Sequence, residues 1–262
     1  MPTVTSKDGT TIAYEKKGNG PAIIIVLGAL SIGTSGATKE LTDLLASQFT
    51  VYNYDRRGRG KSSDVKPYAV EREIEDLEAL IDEPGGSAYL YSHSSGGGLA
   101  LQAAEKLKDK VKKLALYEVP YNDDIQAQSR WKTYGNNLAN AVAKDDGGEA
   151  AVLFLKLVGI SDEQLKNMQQ SPAWKYHETV GTSLAYDFAV MGETGVVPVA
   201  IAAHVICPVL VLYGGASFPF MAVTATTLGA ALPNAEVQAI EGQEHNVDQK
   251  VLAPLLTQFF AT

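Results

Sequence analysis

The sequence predicts an α/β fold in which a mostly parallel central sheet is flanked by helices and carries an inserted helical cap. Short apolar strands alternate with amphipathic helices through most of the 262 residues, a pattern typical of a parallel sheet with helices on both faces. The stretch 121–204 breaks this alternation with helix-like segments and no convincing strand. We therefore expect a core made of residues 1–120 and 205–262, and a helical cap made of residues 121–204.

The elements of the N-terminal part follow from turn signals and apolar periodicity. Residues 11–15 and the segment before them indicate an antiparallel hairpin around residues 8–9. The apolar run 22–27 predicts a buried strand, which is followed by a glycine- and serine-rich loop, a helix over 37–47 and a strand over 51–54. The next helix is amphipathic, and its apolar stripe consists of Val70, Ile74, Leu77, Leu80 and Ile81.

The remaining elements continue the alternation on either side of the cap. Within the cap, the run Ser161 to Gln164 is a capping-box pattern, and Ser171 before Pro172 predicts a second helix start. Aromatic side chains are concentrated in this segment, where they can line an apolar pocket. The predicted core elements are a strand over 88–91, a helix from 99, a strand over 113–117, a strand over 208–213, a helix near 220–231, a strand over 236–240 and a helix over 247–260.

Charge and cysteine content exclude several classes of protein. The net charge of −8 argues against a nucleic-acid-binding surface, because phosphate binding needs clustered lysine and arginine. The apolar runs are too short to span a bilayer, and the N-terminus has no basic region followed by an apolar segment. The single cysteine, Cys207, excludes an intrachain disulfide and fits a reducing compartment. We expect a cytoplasmic protein without nucleic-acid or membrane partners.

Ser94 is the main candidate catalytic residue. It lies between an apolar strand and a glycine-rich helix start, so it occupies a sharp turn at the carboxyl end of the strand. Such a turn requires small residues two positions before and two positions after the serine, and Ser92 and Gly96 meet this requirement. The pattern Ser-x-Ser-x-Gly departs by one residue from Gly-x-Ser-x-Gly.

A serine hydroxyl needs a base, normally a histidine, to act as a nucleophile near neutral pH. Of the four histidines, His245 lies in the loop between the last strand and the last helix, at the same edge of the sheet as Ser94. His93 directly precedes the nucleophile, and we expect its side chain to point away and to be structural. His177 and His204 belong to the cap and its return to the core, and we expect structural roles for them too.

The chain resembles the α/β-hydrolase family over nearly its whole length. Four motifs match in order: Leu27 to Leu30, Asp55 to Ser62, the Ser94 elbow and the His245 loop. The resemblance implies an oxyanion hole formed by the backbone amides of Ala29 and Ser95. It also implies that Asp55 to Ser62 is a structural turn rather than an anion site, with Asp55 able to pair with the neighbouring arginines.

The third member of the family's triad is missing from its usual place. In the family an aspartate follows the strand that here ends at Tyr213, whereas this chain has Ser217. The best substitute is Glu118, at the end of the preceding core strand, where some members of the family place the acid. Asp123, Asp124 and Asp187 are the alternatives, as is a Ser94–His245 dyad completed by Ser217 or water. Glu118 also has a purely structural interpretation, in which its carboxylate anchors the entry to the cap.

We interpret the chain as a cofactor-independent serine hydrolase that acts on a small or medium carboxylic ester, thioester or lactone. Ser94 forms the acyl-enzyme, His245 transfers protons and Glu118 orients His245. The histidines are too scattered for a metal site, so we expect neither a metal nor a cofactor. One alternative is a non-hydrolytic relative, such as a perhydrolase or haloperoxidase-like enzyme, a C–C bond hydrolase or a cofactor-free oxygenase. The other is a non-catalytic ligand-binding relative. The oligomeric state and the substrate stay open.

Overall fold

The computed structural model describes residues 1–262 and contains one eight-stranded sheet. The central strand β3 is apolar and buried throughout, as expected for a strand that is covered by helices on both faces. The strands are β1 (Thr3–Thr5), β2 (Thr11–Lys17), β3 (Ala22–Val26), β4 (Thr50–Tyr54), β5 (Ala88–His93), β6 (Val111–Tyr117), β7 (Val209–Gly214) and β8 (Ala235–Ile240).

The strand order is β1-β2-β4-β3-β5-β6-β7-β8. The β1–β2 and β2–β4 pairs are antiparallel, and every pair from β4–β3 to β7–β8 is parallel. The predicted fold class is therefore confirmed, including the antiparallel opening hairpin. Because the central strands are parallel, their carboxyl ends meet at one edge of the sheet, where loops can combine side chains from different strands.

Helices cover both faces of the sheet. Alternate residues of β3 pack into two separate cores: Ile24 and Val26 pack on one face, and Ile23 and Ile25 on the other. The core helices are α1 (Lys39–Leu45), α2 (Val70–Asp82), α3 (Gly96–Leu107), α10 (Pro219–Ala231) and α11 (Gln249–Ala261). The first core contains residues of α2, α3 and α10, and the second contains residues of α1 and α11. No helix combines the length and apolar character needed to cross a bilayer.

The segment predicted as the cap is helical and contains no strand. Its helices are α4 (Ile125–Ala143), α5 (Gly147–Leu157), α6 (Asp162–Gln170), α7 (Trp174–Val180), α8 (Leu184–Met191) and α9 (Val199–Ala202).

The two predicted helix starts in this segment have different outcomes. The capping box is confirmed, because Ser161 Oγ accepts from Gln164 N and the Gln164 side chain accepts from Ser161 N. The start predicted at Ser171 is wrong. The Ser171 carbonyl accepts from Trp174 N, which closes a turn after α6 and delays the next helix to Trp174.

Candidate active site

Ser94 lies at a strained turn between β5 and α3. Its φ angle is +57°, a left-handed conformation that is uncommon for any residue other than glycine. The turn is closely packed: a Cβ atom at Gly96 would lie 2.3 Å from the Val26 carbonyl oxygen. A Cβ atom at Gly28 would lie 3.0 Å from Ser94 Cβ. Both glycines are therefore required for the backbone to approach this closely, and a strained residue at such a site indicates a functional constraint.

Glu118 occupies the equivalent position on the neighbouring strand. His93 and Tyr117 are paired in the β5–β6 register, so Ser94 and Glu118 are the next residues of two adjacent strands. Ser94 N continues the ladder by donating to the Tyr117 carbonyl at 3.0 Å. Glu118 also has a positive φ angle, +50°. The sheet thus presents both side chains from strained residues at the same edge.

The carboxylate of Glu118 contacts His245 directly. Glu118 Oε2 lies 2.8 Å from His245 Nδ1 and accepts a hydrogen bond from Ser217 Oγ, also at 2.8 Å. Gly214 N donates to the other oxygen, Oε1, at 2.9 Å. Burial by itself would raise the pKa of Glu118, but the hydrogen bonds from His245, Gly214 and Ser217 hold it below its usual value. The carboxylate is therefore ionised at neutral pH and can orient a histidine through its Nδ1 proton.

The other three candidate carboxylates lie elsewhere. Asp123 accepts from Val197 N at 2.9 Å, and Asp124 caps the N-terminus of α4. Asp187 is buried and forms ion pairs with Arg56 and Arg59. Of the four acids considered from the sequence, only Glu118 is hydrogen-bonded to His245.

The cap histidines do not approach this site through hydrogen bonds. His204 Nδ1 lies 2.8 Å from the Ala200 carbonyl, one turn earlier in the chain. The His177 ring stacks on Trp174 with ring centroids 5.3 Å apart. These contacts fit the structural roles expected for both residues.

The backbone amides of Ser95 and Ala29 differ in their hydrogen bonding. Ser95 N has no hydrogen-bond partner within the chain, as expected for a donor reserved for an oxyanion. Ala29 N instead donates to Ser95 Oγ at 2.9 Å. This contact could not be predicted from the sequence, because it depends on how the loop after β3 folds over the start of α3. The Ala29 amide can stabilise an oxyanion only if it shares or releases this bond.

A buried charge network connects the Ser94 elbow to the cap. Ser95 Oγ donates to Asp187 Oδ1 of α8 at 2.8 Å. Asp187 also forms ion pairs with Arg59 and, at 2.7 Å, with Arg56. Sequence reasoning considered Asp187 only as a triad acid and missed this network. The sequence does show an acid in this helix-like segment and arginines in the turn after β4. Nothing in the sequence indicates that these residues form ion pairs with one another.

The expected pairing of Asp55 with neighbouring arginines is wrong. Asp55 accepts hydrogen bonds from Thr34 N at 2.9 Å, from Thr34 Oγ1 at 3.0 Å and from Lys61 N at 2.9 Å. The adjacent Arg56 and Arg57 instead extend to acids of α2 and of other elements. The turn from Asp55 to Ser62 is held by hydrogen bonds within the turn and to Thr34, in agreement with its structural interpretation.

The Asp187 network predicts a loss of stability in acid. Burial would raise the pKa of Asp187, but the charges of Arg59 and Arg56 hold it below its usual value. Because the folded-state pKa lies below the unfolded one, the stabilisation is present above about pH 4 and is lost as the pH falls further. Urea unfolding at pH 7, 5 and 3 should therefore show a falling free energy of unfolding between pH 5 and 3. The D187N variant should lose less over that interval, and an unchanged slope would contradict the prediction.

Apolar cap side chains lie above the loop after β3. Ala29 and Leu30 pack against a cluster built around Tyr134, Leu138 and Leu184. The partly buried aromatic members of this cluster are Trp131, Phe154 and Phe188. Trp131 and Phe188 stack with ring centroids 5.0 Å apart. The surroundings of the proposed oxyanion loop are thus largely apolar on the cap side.

Comparison with known proteins identifies similar chains. A model of the alpha/beta hydrolase family matches residues 32–251. An alpha/beta hydrolase from Sphaerobacter thermophilus DSM 20745 is 42% identical and has a TM-score of 0.85, over 99% of this chain and 100% of that one. A thermophilic esterase from Thermogutta terrifontis is 18% identical with a TM-score of 0.72, over 99% of this chain and 97% of that one, which shows a shared fold.

Curated relatives match over shorter regions. The uncharacterized hydrolase YraK of Bacillus subtilis (strain 168) is 29% identical over 169 residues. This match covers 58% of the present chain and 62% of YraK, so the chain matches less than two thirds of that relative's length.

Proposed function

Because the chain belongs to the alpha/beta hydrolase family, we propose that it is a serine hydrolase that cleaves small or medium carboxylic esters, thioesters or lactones. The observation that carries the proposal is the contact between Glu118 and His245, which supplies the anion missing from position 217. Without such an anion, a Ser94–His245 pair would lack the group that holds the histidine in the required tautomer. Hydrolases and esterases among the similar proteins support the same reaction class.

The proposed reaction begins with nucleophilic attack. Ser94 Oγ attacks the carbonyl carbon while His245 Nε2 takes the hydroxyl proton, and Glu118 stabilises the imidazolium through Nδ1. The Ser95 amide donates to the oxygen that becomes negative, and the Ala29 amide is the second donor. His245 then returns the proton to the leaving alcohol, thiol or lactone oxygen. Water, activated by His245, hydrolyses the acyl-enzyme and restores Ser94.

The cap favours an apolar acyl group. Its side chains that pack on Ala29 and Leu30 are aromatic or aliphatic. Such apolar surroundings stabilise a buried alkyl or aryl group and disfavour a buried charge that lacks a partner. Neutral esters with apolar acyl chains are therefore the proposed substrate class.

Covalent labelling tests the nucleophile. A fluorophosphonate should add one phosphonyl group to the wild-type protein, and peptide mapping should place it on Ser94, since an activated serine attacks phosphorus as it attacks a carbonyl. The S94A variant should fold but remain unlabelled. Folded wild-type protein that stays unlabelled, or a label on another serine in both proteins, would contradict the mechanism. Labelling without hydrolysis of a p-nitrophenyl ester series would favour a non-hydrolytic relative.

A further inference from the structure

The loop that carries His245 has few backbone contacts of its own. Residues 244–247 take part in no backbone–backbone hydrogen bond, whereas the flanking Gln243 donates to and accepts from neighbouring backbone. Val247 packs against the core that contains α1 and α11. The position of His245 therefore depends mainly on side chains from other elements that reach its loop.

Two of those side chains come from the strands that carry Ser94 and Glu118. His93 Nε2 lies 2.9 Å from the His245 carbonyl oxygen, and the Tyr117 hydroxyl donates to the Glu244 carbonyl. His93 directly precedes Ser94, and Tyr117 directly precedes Glu118. The two loop carbonyls, consecutive in sequence, thus each accept from the last residue of a core strand.

The sheet explains why these two residues reach the same loop. His93 and Tyr117 are paired in register, and their rings stack with centroids 5.9 Å apart. Side chains alternate between the faces of a sheet, so residues that precede Ser94 and Glu118 point to the opposite side from them. Tyr117 belongs to the core beneath α11, and the His245 loop leads directly into α11.

The protonation state of His93 suits this contact. A carbonyl oxygen can only accept, so the proton must lie on His93 Nε2. Burial, together with the charge of the neighbouring His245, lowers the pKa of His93 to about 4. His93 is therefore neutral near neutral pH and adds no second positive charge beside the His245 ring, whose centroid is 4.7 Å away.

We propose that His93 and Tyr117 act as positioning residues, a two-donor clamp that fixes the His245 loop through the carbonyls of His245 and Glu244. The clamp fixes the loop of His245 relative to β5 and β6, the strands that lead to Ser94 and Glu118. The relative positions of the base, the nucleophile and the acid therefore depend on the same rigid sheet. Neither residue touches the reacting atoms. The inference rests on the proposed function for its catalytic consequence, but the clamp itself can be observed without a substrate.

The catalytic test compares variants that differ only in the donor. H93L and Y117F should each lower kcat by about 10- to 100-fold with little change in KM, because a displaced base costs turnover rather than substrate binding. H93Q keeps an N–H donor and should recover most of the kcat lost in H93L. The matched control is Y91F, which removes a buried hydroxyl from the same face of β5 without touching the loop. A kcat in H93L equal to that of wild type, or an equal loss in H93Q and H93L, would overturn the clamp.

The second test needs no turnover. The Nδ1 proton of His245, shared with Glu118, gives a low-field proton resonance that can be assigned by its absence from E118Q. This resonance should broaden or shift in H93L and Y117F and stay in place in Y91F, while unchanged spectra in both clamp variants would overturn the proposal. If wild-type protein hydrolyses no ester yet shows this pattern, the proposed function fails and the clamp stands.

Discussion

Replacement of Glu118 by glutamine is expected to lower kcat by about 10³- to 10⁴-fold while the protein stays folded. The magnitude follows a serine protease in which the equivalent carboxylate was neutralised at a cost of about 10⁴. A glutamine can still accept from Gly214 N, but its amide group cannot stabilise the His245 imidazolium as an anion does. Steady-state kinetics on a p-nitrophenyl ester, with circular dichroism to verify folding, checks the result.

Ser217 allows a sharper version of this experiment. Its hydroxyl donates to the same Glu118 oxygen that contacts His245 Nδ1, so position 217 already faces the acid site. An aspartate there carries its carboxylate oxygens one bond further from the backbone than Ser217 Oγ does. E118A/S217D should therefore be more active than E118A, by about tenfold or more if the new carboxylate orients His245. E241Q, a change at an exposed nearby acid, is the control.

One result would contradict this account of Glu118, and a second would limit where the acid can lie. If E118Q retains nearly all of the wild-type kcat, the carboxylate is structural, and Ser217 or water completes a dyad. If E118Q is inactive and E118A/S217D is no more active than E118A, an acid can orient His245 only from the end of β6. The first result would remove Glu118 from the mechanism. The second would show that a carboxylate at position 217 cannot replace it.

Removal of the Asp187 carboxylate is expected to destabilise the protein by about 3–5 kcal/mol, the usual cost of breaking a buried ion pair from one side. Asp187 is the only acid paired with Arg59, whose side chain is fully buried and otherwise bonds to Ser183 and to the Gly28 carbonyl. D187A would leave that guanidinium buried without an anion. Arg56 would keep its pair with Glu73, so most of the cost arises at Arg59.

Chemical denaturation can separate this effect from a general weakening of the cap. D162A removes another cap aspartate, but its partner Lys156 and the aspartate itself are both exposed, so the unfolding midpoint should not move. The double variant D187L/R59L should be more stable than the two single changes predict together, because it removes the buried charge along with its partner. Additive losses, or a D187A midpoint equal to wild type, would contradict the role assigned to the network.

The sequence was sufficient for the fold because periodicity and strand alternation determine it locally. The continuous apolar run of β3 and the stripe of α2 each specify burial without reference to distant residues. Ser94 and His245 could also be predicted as candidate catalytic residues, because neighbouring residues in the sequence define the elbow and the loop before the last helix. The proximity of Glu118 to His245 was expected for two reasons: parallel strands end at one edge, and some members of the family that the chain resembles place the acid after this strand.

The contacts that the sequence did not predict are between distant segments. Nothing near Asp187 indicates that it lies against Arg56 and Arg59, more than 120 residues earlier in the chain. The Ala29 amide was expected to donate to an oxyanion, but in the structure it donates to Ser95 Oγ. These contacts depend on how the cap and the loops pack on the core. Patterns in a single sequence carry no information on which side chains of distant segments contact each other.

The paired register of β5 and β6 has a wider implication for how such sites can change. Neighbouring strands lie about 4.8 Å apart, a spacing set by backbone hydrogen bonds and independent of side chains. An acid at the end of β6 and one in the loop after β7 would therefore lie one strand apart, and here Glu118 and Ser217 occupy these two places and are hydrogen-bonded to each other. If E118A/S217D gains activity as expected, two substitutions are enough to move the acid from one strand end to the next, while the nucleophile and the base stay unchanged.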